Sequence, residues 1–482
     1  MKKQAFNPFL PSYEYIPDGE PRVFGNRVYV YGSHDAFDGS YYCQNDYVCW
    51  SAPVDDLGNW KFEGTIYKYT QDPIHKNADD HLLQAPDAIQ GPDGRYYLYY
   101  SMASTDIISV AVCDSPAGQY EFYGHVHYED GTVLGKKDTD LLQFDPGIYV
   151  EDNRVYLYSG FCPPNTFMWE MQGKKAPAFK GAMVIELYPD MITVKKAPEI
   201  IAPYVKNSSG TGYEGHEFFE APSMRKRGDK YYFIYSSING HELCYAMSDY
   251  PDKGFAYCGT IVSNADIGLE GRTSQDAINY YGNNHGSIVE ILGQWYIFYH
   301  RHTNRNQFSR QACAEKIYFD EYGKIPQVEI TSCGLNPSCL AGRGLYEARI
   351  ACRLWGKNGA TLYGLGDRPI DKTNPYFTQD GEDREDNPDQ HISSMNDGSV
   401  AGFKYFDLEN LSQITVKIRG SAEGTLTVSD ELSGNIIAEI PVHPSDDWGK
   451  YCAAAHADNG KTALYFTYHG IGAFDFMDFE LV

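Results

Sequence analysis

Residues 94–101 read GRYYLYYS, and four other segments repeat this pattern of a polar opening followed by a run of aromatic residues. These segments are RVYVYGS (27–33), NRVYLYSG (153–160), DKYYFIYSS (229–237) and QWYIFYHR (294–301). Each follows a turn signal such as GPDG or RGD, as the second strand of a hairpin does. Five units of about 65 residues, each long enough for four strands with long loops, predict a five-bladed β-propeller.

The composition favours the same class of fold. The chain has 482 residues, among them 41 Tyr, 24 Phe, 6 Trp and 46 Gly. Aromatic and turn-forming residues suit many short strands better than long helices. The length is sufficient for two domains, one of them large. We therefore expect an all-β protein with a large first domain.

Charge and cysteine usage exclude several classes of partner. The chain carries 40 Lys+Arg against 65 Asp+Glu, a net charge of −25, which argues against binding to nucleic acid or to an anionic membrane surface. No apolar run long enough to cross a bilayer and no secretory signal is visible. The 11 cysteines are scattered and never spaced as C-x-x-C, which favours reduced thiols in the cytoplasm. The oligomeric state is left open.

The repeat also aligns one polar side chain in each unit. One tyrosine aligns in all five segments: Tyr29, Tyr97, Tyr156, Tyr232 and Tyr296. About eleven residues before it, the five units have Asp18, Asp87, Asp145, Glu220 and His285. If the strand that begins there is the innermost of its blade, these side chains converge near the propeller axis. Clustered carboxylates raise one another's pKa, so a fold keeps them mainly for acid–base chemistry or for a metal. A turn or cap residue is the alternative for each one alone.

The segments around these residues resemble the five blade motifs of glycoside hydrolase family 43. The resembling segments begin PDGEPRVF, QAPDAIQ, FDPGIYV, EAPSMRK and NNHGSIV, and they occur in order within residues 17–302. The resemblance implies that residues 1–335 form a five-bladed catalytic propeller. It further implies an inverting, exo-acting α-L-arabinofuranosidase that acts on arabinoxylan- or xylan-derived oligosaccharides. A β-xylosidase of the same family and a non-catalytic carbohydrate-binding protein are the alternatives.

The resemblance also implies roles for the aligned residues. Asp18 would be the general base, Asp87 the acid that orients and tunes its partner, and Glu220 the general acid. His285 would hold a central metal ion, usually calcium, largely through water. The family usually has Asp-Pro at the first position, whereas this chain reads DGEP from Asp18 onward, so Glu20 is a rival for the base.

The surroundings of the two principal carboxylates fit these roles. Inverting hydrolysis needs a protonated carboxyl group and an ionised carboxylate about 6.5–9.5 Å apart. In an extended strand Phe218 shares a face with Glu220, so desolvation is expected to raise the pKa of this acid. Asp18 lies beside a glycine near the start of the chain and is expected to stay hydrated and ionised.

Five further residues extend the predicted substrate site. Arg301 is expected to contact sugar hydroxyls or to hold the general acid in position, with a solvated strand end as the alternative. His34 and Asp35 follow the first repeat strand and are expected to line the pocket. Asp145 is a candidate for substrate binding, although its Asp-Pro-Gly context also suits a purely structural turn. Trp169 is a candidate platform for a sugar ring, or an aromatic side chain that packs on its own loop.

Beyond residue 335 the tyrosine repeat stops and the pattern changes. Residues 336–482 contain alternating segments such as QITVKIRG (413–420) and ALYFTYHG (463–470), separated by turns. This pattern is typical of a β-sandwich. The acidic run 380–389 is expected to be a solvated loop.

The C-terminal region resembles a second family. The stretch VAGFKYFDLEN (400–410) and the terminal FDFMDFELV are similar to a carbohydrate-binding module of family 6, which is a jelly roll. The resemblance implies a structural calcium ion at Glu347 and Asp478. Surface carboxylates without an ion are the alternative.

Overall fold

The computed structural model describes residues 3–74, 82–166, 169–170, 175–364, 372–385, 389–432 and 434–482. Nearly all of its regular elements are β-strands, which confirms the all-β prediction. Short 3-10 turns occur at Tyr69–Gln71, Val205–Asn207, Leu269–Gly271, Ser274–Asp276 and Ala348–Ile350. Within the ranges described, no helix is long and apolar enough to cross a membrane.

Five antiparallel sheets follow one another along the first two thirds of the chain, as the repeat predicted. The first contains β1 (Glu20–Phe24), β2 (Arg27–Tyr31), β3 (Tyr47–Pro53) and β4 (Lys61–Tyr67). The second contains β5 (Leu83–Gln90), β6 (Tyr96–Met102), β7 (Ile108–Cys113) and β8 (Glu121–His125). The third contains β9 (Gly147–Glu151), β10 (Arg154–Ser159), β11 (Gly181–Leu187) and β12 (Val194–Pro203). The fourth contains β13 (Phe218–Arg227), β14 (Lys230–Ser237), β15 (Glu242–Ser248) and β16 (Ala256–Ser263), and the fifth contains β17 (Ile288–Ile291), β18 (Gln294–His302) and β19 (Arg310–Ile317).

The repeated aromatic segments are the second strands of these sheets, and their side chains form the cores between neighbouring sheets. One core, for example, joins Tyr97 and Tyr99 of β6 to Val155 and Leu157 of β10. Similar cores lie between the first and second, third and fourth, fourth and fifth, and fifth and first sheets. Because every sheet packs on two neighbours, the sheets close into a ring. The predicted five-bladed propeller is thereby confirmed.

The N-terminal segment closes this ring. The backbone N–H of Phe9 donates to the carbonyl oxygen of Ala312 on β19 at 3.2 Å. The Asn7 side chain donates to the carbonyl oxygen of Ala314 at 2.9 Å and accepts from its N–H at 2.9 Å. Phe9 and Leu10 belong to the core that the first and fifth sheets share. The residues that lead into β1 are therefore anchored to the last sheet.

The first strands of the sheets surround the propeller axis. Strand β1 contacts β5 and β17, and β9 contacts β5 and β13. The hydroxyl oxygens of Ser223 on β13 and Ser287, one residue before β17, lie 2.8 Å apart and join the fourth and fifth sheets. Side chains at the starts of these strands therefore converge, as the register of the repeat predicted.

The C-terminal region is a sandwich of two six-stranded sheets, as predicted. One has the order β20 (Leu340–Ala341), β25 (Val400–Leu408), β30 (Gly460–Ile471), β27 (Glu423–Ser429), β28 (Ile436–Val442), with β22 (Arg353–Trp355) on β25. The other has the order β23 (Tyr376–Thr378), β24 (His391–Asn396), β31 (Ala473–Leu481), β26 (Gln413–Gly420), β29 (Ser445–Ala454), with β21 (Gly344–Glu347) on β31. Their inner faces meet at Phe403, Phe466, Phe476 and Phe479.

Candidate active site

Four of the five aligned side chains meet at one end of the channel. Asp18 and Asp145 lie just before β1 and β9, Glu220 lies in β13, and His285 lies just before β17. The His285 Nδ1 atom is 3.7 Å from the Asp145 Oδ2 atom and 4.0 Å from the Asp18 Oδ1 atom. Asp145 and His285 are buried, whereas Glu220 is partly exposed. Asp18 is also buried, at 5% exposure, which corrects the expectation that it stays hydrated. The structure thus brings these four side chains together.

The backbone beneath two of these carboxylates is in the left-handed region. The φ angle is 57° at Asp18, 47° at Asp145 and 64° at Ala221, which follows Glu220. Residues other than glycine rarely adopt this conformation, although aspartate tolerates it better than most. Such conformations persist where the surroundings hold them, and they cluster at functional sites. At Ala221 the turn brings its N–H within 3.2 Å of the Asp145 Oδ2 atom.

A buried arginine, Arg310, holds Asp18. The Arg310 Nη1 atom donates to the Asp18 Oδ1 atom at 2.9 Å. The same guanidinium donates from Nε and Nη2 to the two carboxylate oxygens of Asp35, at 2.8 and 3.0 Å. Asp35 is fully buried behind the arginine, so it does not line the pocket as the sequence predicted. Instead, Asp35 orients Arg310, and Arg310 in turn orients Asp18.

His300 supports Asp18 from the opposite side. The His300 Nε2 atom lies 2.8 Å from the carbonyl oxygen of Asn283, so this nitrogen carries the proton and donates it there. The unprotonated Nδ1 atom then accepts from the backbone N–H of Asp18 at 3.4 Å. Burial lowers the pKa of His300 well below its ordinary value, and the nearby Arg310 charge lowers it further. His300 is therefore a neutral acceptor that fixes the backbone of Asp18.

Glu220 has the electrostatic environment of a general acid. Burial raises the pKa of Glu220 to about 8, and the charge of Asp18 adds to this effect. The positive charge of Arg310 acts in the opposite direction but does not cancel them. Phe218, which the sequence placed on the same face, is fully buried. Glu220 therefore keeps its proton at neutral pH.

Asp145 is the carboxylate that lies beside Glu220. Burial raises the pKa of Asp145 well above its ordinary value, with further contributions from the negative charges of Glu220 and Asp18. Its contact with the Ala221 N–H ties it to the residue that follows the acid. The sequence left open whether Asp145 forms a structural turn or belongs to the functional site. In the structure Asp145 does both.

Asp87, by contrast, lies in a buried ion pair. Its Oδ1 and Oδ2 atoms accept from Arg22 Nε and Nη2, at 3.0 and 2.5 Å. The backbone N–H groups of Ala88 and Ile148 also donate to them, at 2.8 and 2.9 Å. No part of Asp87 is exposed. These contacts correct the expectation that Asp87 tunes the acid: the structure brings Asp145, instead, next to Glu220.

Glu20 lies on the far side of the His285 ring. Its Oε1 atom is 4.0 Å from His285 Nε2, whereas Asp18 and Asp145 face Nδ1 of that ring. The Glu20 Oε2 atom accepts from Arg225 Nη2 at 2.5 Å. Burial raises the pKa of Glu20 to about 7. Because the charge that acts on Glu220 comes from Asp18, the geometry favours Asp18 over Glu20 as the base.

The surroundings of His285 suit an ion that is held largely through water. Burial lowers the pKa of His285, so its imidazole is neutral and has a lone pair to offer. Its distances of 3.7–4.0 Å to the carboxylates are too long for direct hydrogen bonds. In the described part of the chain, the groups of three ligating side chains within reach of one ion are elsewhere: His216, Glu242, Cys244 and Asp380, Asp389, His391. A calcium ion needs six to eight oxygen ligands, so at His285 water would supply most of them.

The predicted calcium pair in the sandwich fits an ion poorly. Glu347 and Asp478 are directly opposite on β21 and β31, so the sequence correctly placed them together. However, the Glu347 carboxylate already accepts a hydrogen bond from Arg349, and Asp478 is opposite Lys417 on β26. Two carboxylates among cationic side chains do not make the oxygen-rich shell that calcium requires. We assign no ion there.

Arg301 and His34 lie away from the sugar site. Arg301 donates to the carbonyl oxygen of Arg349 at 2.6 Å and stacks on the Phe377 ring at 3.8 Å, so it joins the propeller to the sandwich. His34 is buried, and its Nδ1 and Nε2 atoms lie 2.7 Å from the carbonyl oxygen of Asp46 and 2.6 Å from Arg384 Nη1. Both placements correct the expectation that these residues line the pocket or hold the acid.

Trp169 belongs to a cluster of aromatic rings, here called the aromatic wall. Its ring lies 6.2 Å from the rings of Phe161 and Phe179, and Phe161 lies about 5 Å from those of Phe144 and Phe219. Phe144 and Phe219 directly precede Asp145 and Glu220 in the chain. Trp169 is itself partly exposed. It therefore packs on its neighbours and still offers surface to a ligand.

Arg310 is the functional residue that sequence reasoning missed. It opens β19 after a loop, lies outside the tyrosine repeat, and is 2% exposed. The Tyr42 ring, whose centroid is 4.8 Å from the guanidinium carbon, covers it. The available signal was an arginine at the head of RQACAEKI, a strand that is buried throughout most of its length. An arginine in such a strand requires a carboxylate partner.

Glycoside hydrolases use a carboxyl group with a raised pKa together with an ionised carboxylate. Glu220 and the arginine-bound Asp18 form such a pair. A family model described as glycosyl hydrolases family 43 matches residues 8–325. A xylosidase/arabinosidase of Thermoclostridium stercorarium is 52% identical over 483 aligned residues, covering 100% of this chain and 99% of that protein. The chain belongs to glycosyl hydrolases family 43.

Two solved structures extend this comparison. A family 43 arabinoxylan arabinofuranohydrolase from Bacillus subtilis is 19% identical, with a TM-score of 0.51, and the alignment covers 98% of this chain and 96% of that one. It shows a shared fold across both regions of the chain. A family 43 β-xylosidase/α-arabinofuranosidase from a compost metagenome, solved with xylotriose in a calcium-free form, is 25% identical with a TM-score of 0.51. That alignment covers 66% of this chain and 96% of the other.

The structural place of Asp87 can be tested by substitution. Asp87→Asn leaves Arg22 buried without its charge partner, so we expect the free energy of unfolding in urea to fall by about 3–5 kcal/mol. The control is Asp93→Asn, which breaks an exposed pair with Arg95 and should cost less than about 1 kcal/mol. If Asp87→Asn instead lost activity with unchanged stability, the tuning role predicted from the sequence would be restored.

Proposed function

We propose that this family 43 hydrolase is an exo-acting, inverting α-L-arabinofuranosidase that also accepts β-xylosides. The feature that carries the chemistry is Glu220, whose pKa burial and the charge of the Arg310-bound Asp18 raise to about 8. The relative at 52% identity is described as a xylosidase/arabinosidase, and a more distant relative was solved with xylotriose. Arabinoxylan- or xylan-derived oligosaccharides are therefore the substrates that we infer. The paired acid and base argue against the non-catalytic alternative.

In the proposed mechanism Glu220 donates its proton to the glycosidic oxygen as the bond breaks. Asp18, ionised and held by Arg310, accepts a proton from the water that attacks the opposite face of the sugar. A single displacement of this kind inverts the configuration and forms no covalent intermediate. Asp145 is our candidate for tuning the acid, because its Oδ2 atom accepts from the N–H of Ala221, the residue after Glu220, and the charge of Glu220 contributes to the raised pKa of Asp145.

The aromatic wall of Phe144, Phe161, Phe219 and Trp169 supports a binding place for a second sugar unit. Aromatic faces stack on the apolar side of a sugar ring, and two members of this wall, Phe144 and Phe219, directly precede Asp145 and Glu220 in the chain. We therefore place the departing sugar against Trp169.

We infer a calcium ion near His285. His285 would hold it together with water, and Asp18 and Asp145 are the nearest carboxylates. When bound, such an ion supplies positive charge that favours the ionised form of nearby carboxylates. This chain's own residues still perform both proton transfers. The relative solved with xylotriose is described as a calcium-free form, which supports calcium as the ion to test here.

The C-terminal sandwich is proposed to be a family 6 type carbohydrate-binding domain, with residues 336–482 as its extent. A cleft of about 710 Å³ on the sandwich, lined by polar residues that include Asn459 and Lys461, supports a ligand there. We also propose a cytoplasmic location, which the 11 free cysteines support.

A parallel assay tests the activity itself. We expect the protein to release 4-nitrophenol from the α-L-arabinofuranoside with a higher kcat/KM than from the β-D-xyloside. A higher value on the xyloside would make it a β-xylosidase. No hydrolysis of either, together with calorimetric binding of xylo-oligosaccharides, would support the non-catalytic alternative.

The roles of acid and base can be separated by the leaving group. Glu220→Gln should lose about 10²–10⁴-fold in rate on natural oligosaccharides, whose leaving alcohol needs a proton, and far less on 4-nitrophenyl glycosides. Asp18→Asn should be equally damaging on both, because the water needs activation in either case. Proton NMR of the first-formed sugar should show inversion. Retention, or an active Asp18→Asn protein, would overturn the assignment.

The ion can be tested by removal. Chelation, or His285→Ala, should lower turnover without unfolding the chain, and added calcium should restore the chelated protein only. Elemental analysis reports the ion, and circular dichroism reports the fold. Full activity of a protein shown to be free of metal would remove calcium from the proposal.

A further inference from the structure

Two loops carry the residues that hold the proposed base. The 34–46 loop, between β2 and β3, carries Asp35, and the 303–309 loop leads from β18 directly into Arg310. Neither loop contains regular secondary structure. The φ angle is positive at Asp38 and Cys43 in the first loop and at Asn304 and Arg305 in the second. Aspartate and asparagine tolerate this conformation, but cysteine and arginine adopt it rarely, so we expect surrounding contacts to hold these loops.

One segment of the sandwich, residues 374–384, contacts both loops. Its Asp383 accepts from the backbone N–H of Phe37 at 2.8 Å and from the Asn45 side chain at 3.1 Å. Asn45 in turn donates to the carbonyl oxygen of Asp35 at 3.0 Å. The expectation of a solvated acidic loop at 380–389 is therefore corrected in part, because Asp383 binds the propeller. Residues 386–388 lie outside the described residues.

Arg384 binds the beginning of the same loop. Its Nη1 atom lies 2.5 Å from Glu14 Oε1 and 2.6 Å from His34 Nε2. Glu14 also accepts from the Trp50 indole N–H at 2.7 Å. Burial alone would raise the pKa of Glu14. Hydrogen bonding to His34 and the charge of Arg384 nevertheless hold this pKa below its ordinary value. A buried carboxylate of the propeller thus obtains its countercharge from the sandwich.

The same segment holds the 303–309 loop. The carbonyl oxygen of Phe377 accepts from the backbone N–H of Asn304 at 2.9 Å, and the Thr378 hydroxyl donates to the Asn304 side chain at 2.8 Å. The Arg305 guanidinium donates to the carbonyl oxygen of Asn374 at 2.6 Å and lies over the Tyr376 ring. Both residues with positive φ in this loop are therefore fixed by the sandwich.

We propose that the 374–384 segment of the sandwich positions the Arg310–Asp18 pair, with Asp383 and Arg384 as positioning residues. The two loops that this segment contacts carry Asp35 and lead into Arg310. Asp35 binds the Arg310 guanidinium at two points, and the Arg310 Nη1 atom then donates to Asp18. The C-terminal domain is then part of the catalytic unit, whether or not it binds sugar. This inference rests on the proposed function for its catalytic readout.

Asp383 is the most direct place to test this proposal. Because Asp383 is exposed, Asp383→Ala should leave the thermal midpoint nearly unchanged while it frees the 34–46 loop. We expect kcat of the full-length protein to fall about tenfold with little change in KM, since small displacements of a catalytic group are costly. Arg310 lowers the pKa of Glu220, so its displacement should also move the alkaline limb of the pH profile, near pH 8, to higher pH.

Two further variants control for non-specific effects. Asp383→Asn keeps an acceptor for the Phe37 N–H and should recover most of the activity. Gln4→Ala removes a different contact between propeller and sandwich, a hydrogen bond from the Ala341 N–H at 2.7 Å, and should leave kcat and the pH profile unchanged. An Asp383→Ala protein with normal kcat and a normal alkaline limb would overturn the proposal.

Hydrogen exchange separates this inference from the proposed function. In Asp383→Ala, amide exchange measured by mass spectrometry should increase in residues 34–46 and spread to Arg310 at the start of β19. The Gln4→Ala protein should show neither change. If the wild-type protein hydrolysed no glycoside, the proposed function would fail, while unchanged exchange in Asp383→Ala would independently refute the positioning role.

Discussion

The buried guanidinium of Arg310, shared between Asp18 and Asp35, is the interaction on which the site depends. A propeller brings the starts of its inner strands to one axis, and in this chain those starts carry carboxylates that repel one another. Arg310 is the cation that makes their convergence tolerable, since a buried charge needs a partner. It also keeps Asp18 in one orientation, because Asp35 holds the guanidinium at two points.

The charges along the axis are sorted into two layers by the His285 ring. On the Glu20 side, Arg225 pairs with Glu20 and Arg22 pairs with Asp87, so each carboxylate has its own cation. On the other side, one arginine pairs with both Asp18 and Asp35, and among the described residues no arginine forms an ion pair with Asp145 or Glu220. The negative charge there adds to burial in raising the pKa of Glu220 and of Asp145. The unequal distribution of arginines thus separates a structural layer from a chemical one.

The sequence was informative where structure follows a periodic pattern. The tyrosine repeat predicted five sheets, the position of the second strands, and the convergence of five side chains. Four of these, Asp18, Asp145, Glu220 and His285, lie together, whereas Asp87 pairs with Arg22. The repeat could not choose between Asp87 and Asp145, because both occupy the same register. The difference between Asp87 and Asp145 depends on which of the two carboxylates forms an ion pair with an arginine of another strand. Arg310 was missed for a related reason, since it lies 292 positions from Asp18 and outside the repeat.

The sandwich shows why a resemblance to a module is an incomplete guide to its role. Its strand pattern was read correctly from sequence, and its surface was then expected to be solvated around the acidic run. Yet Arg384 within that run supplies the countercharge of Glu14, a propeller residue that has no exposed side-chain surface. Such a pairing cannot be inferred from either region alone, because the strand pattern of each region gives no sign of the other. Loops without a strand pattern to fix them take their conformation from whatever packs against them, and here that neighbour is the other domain.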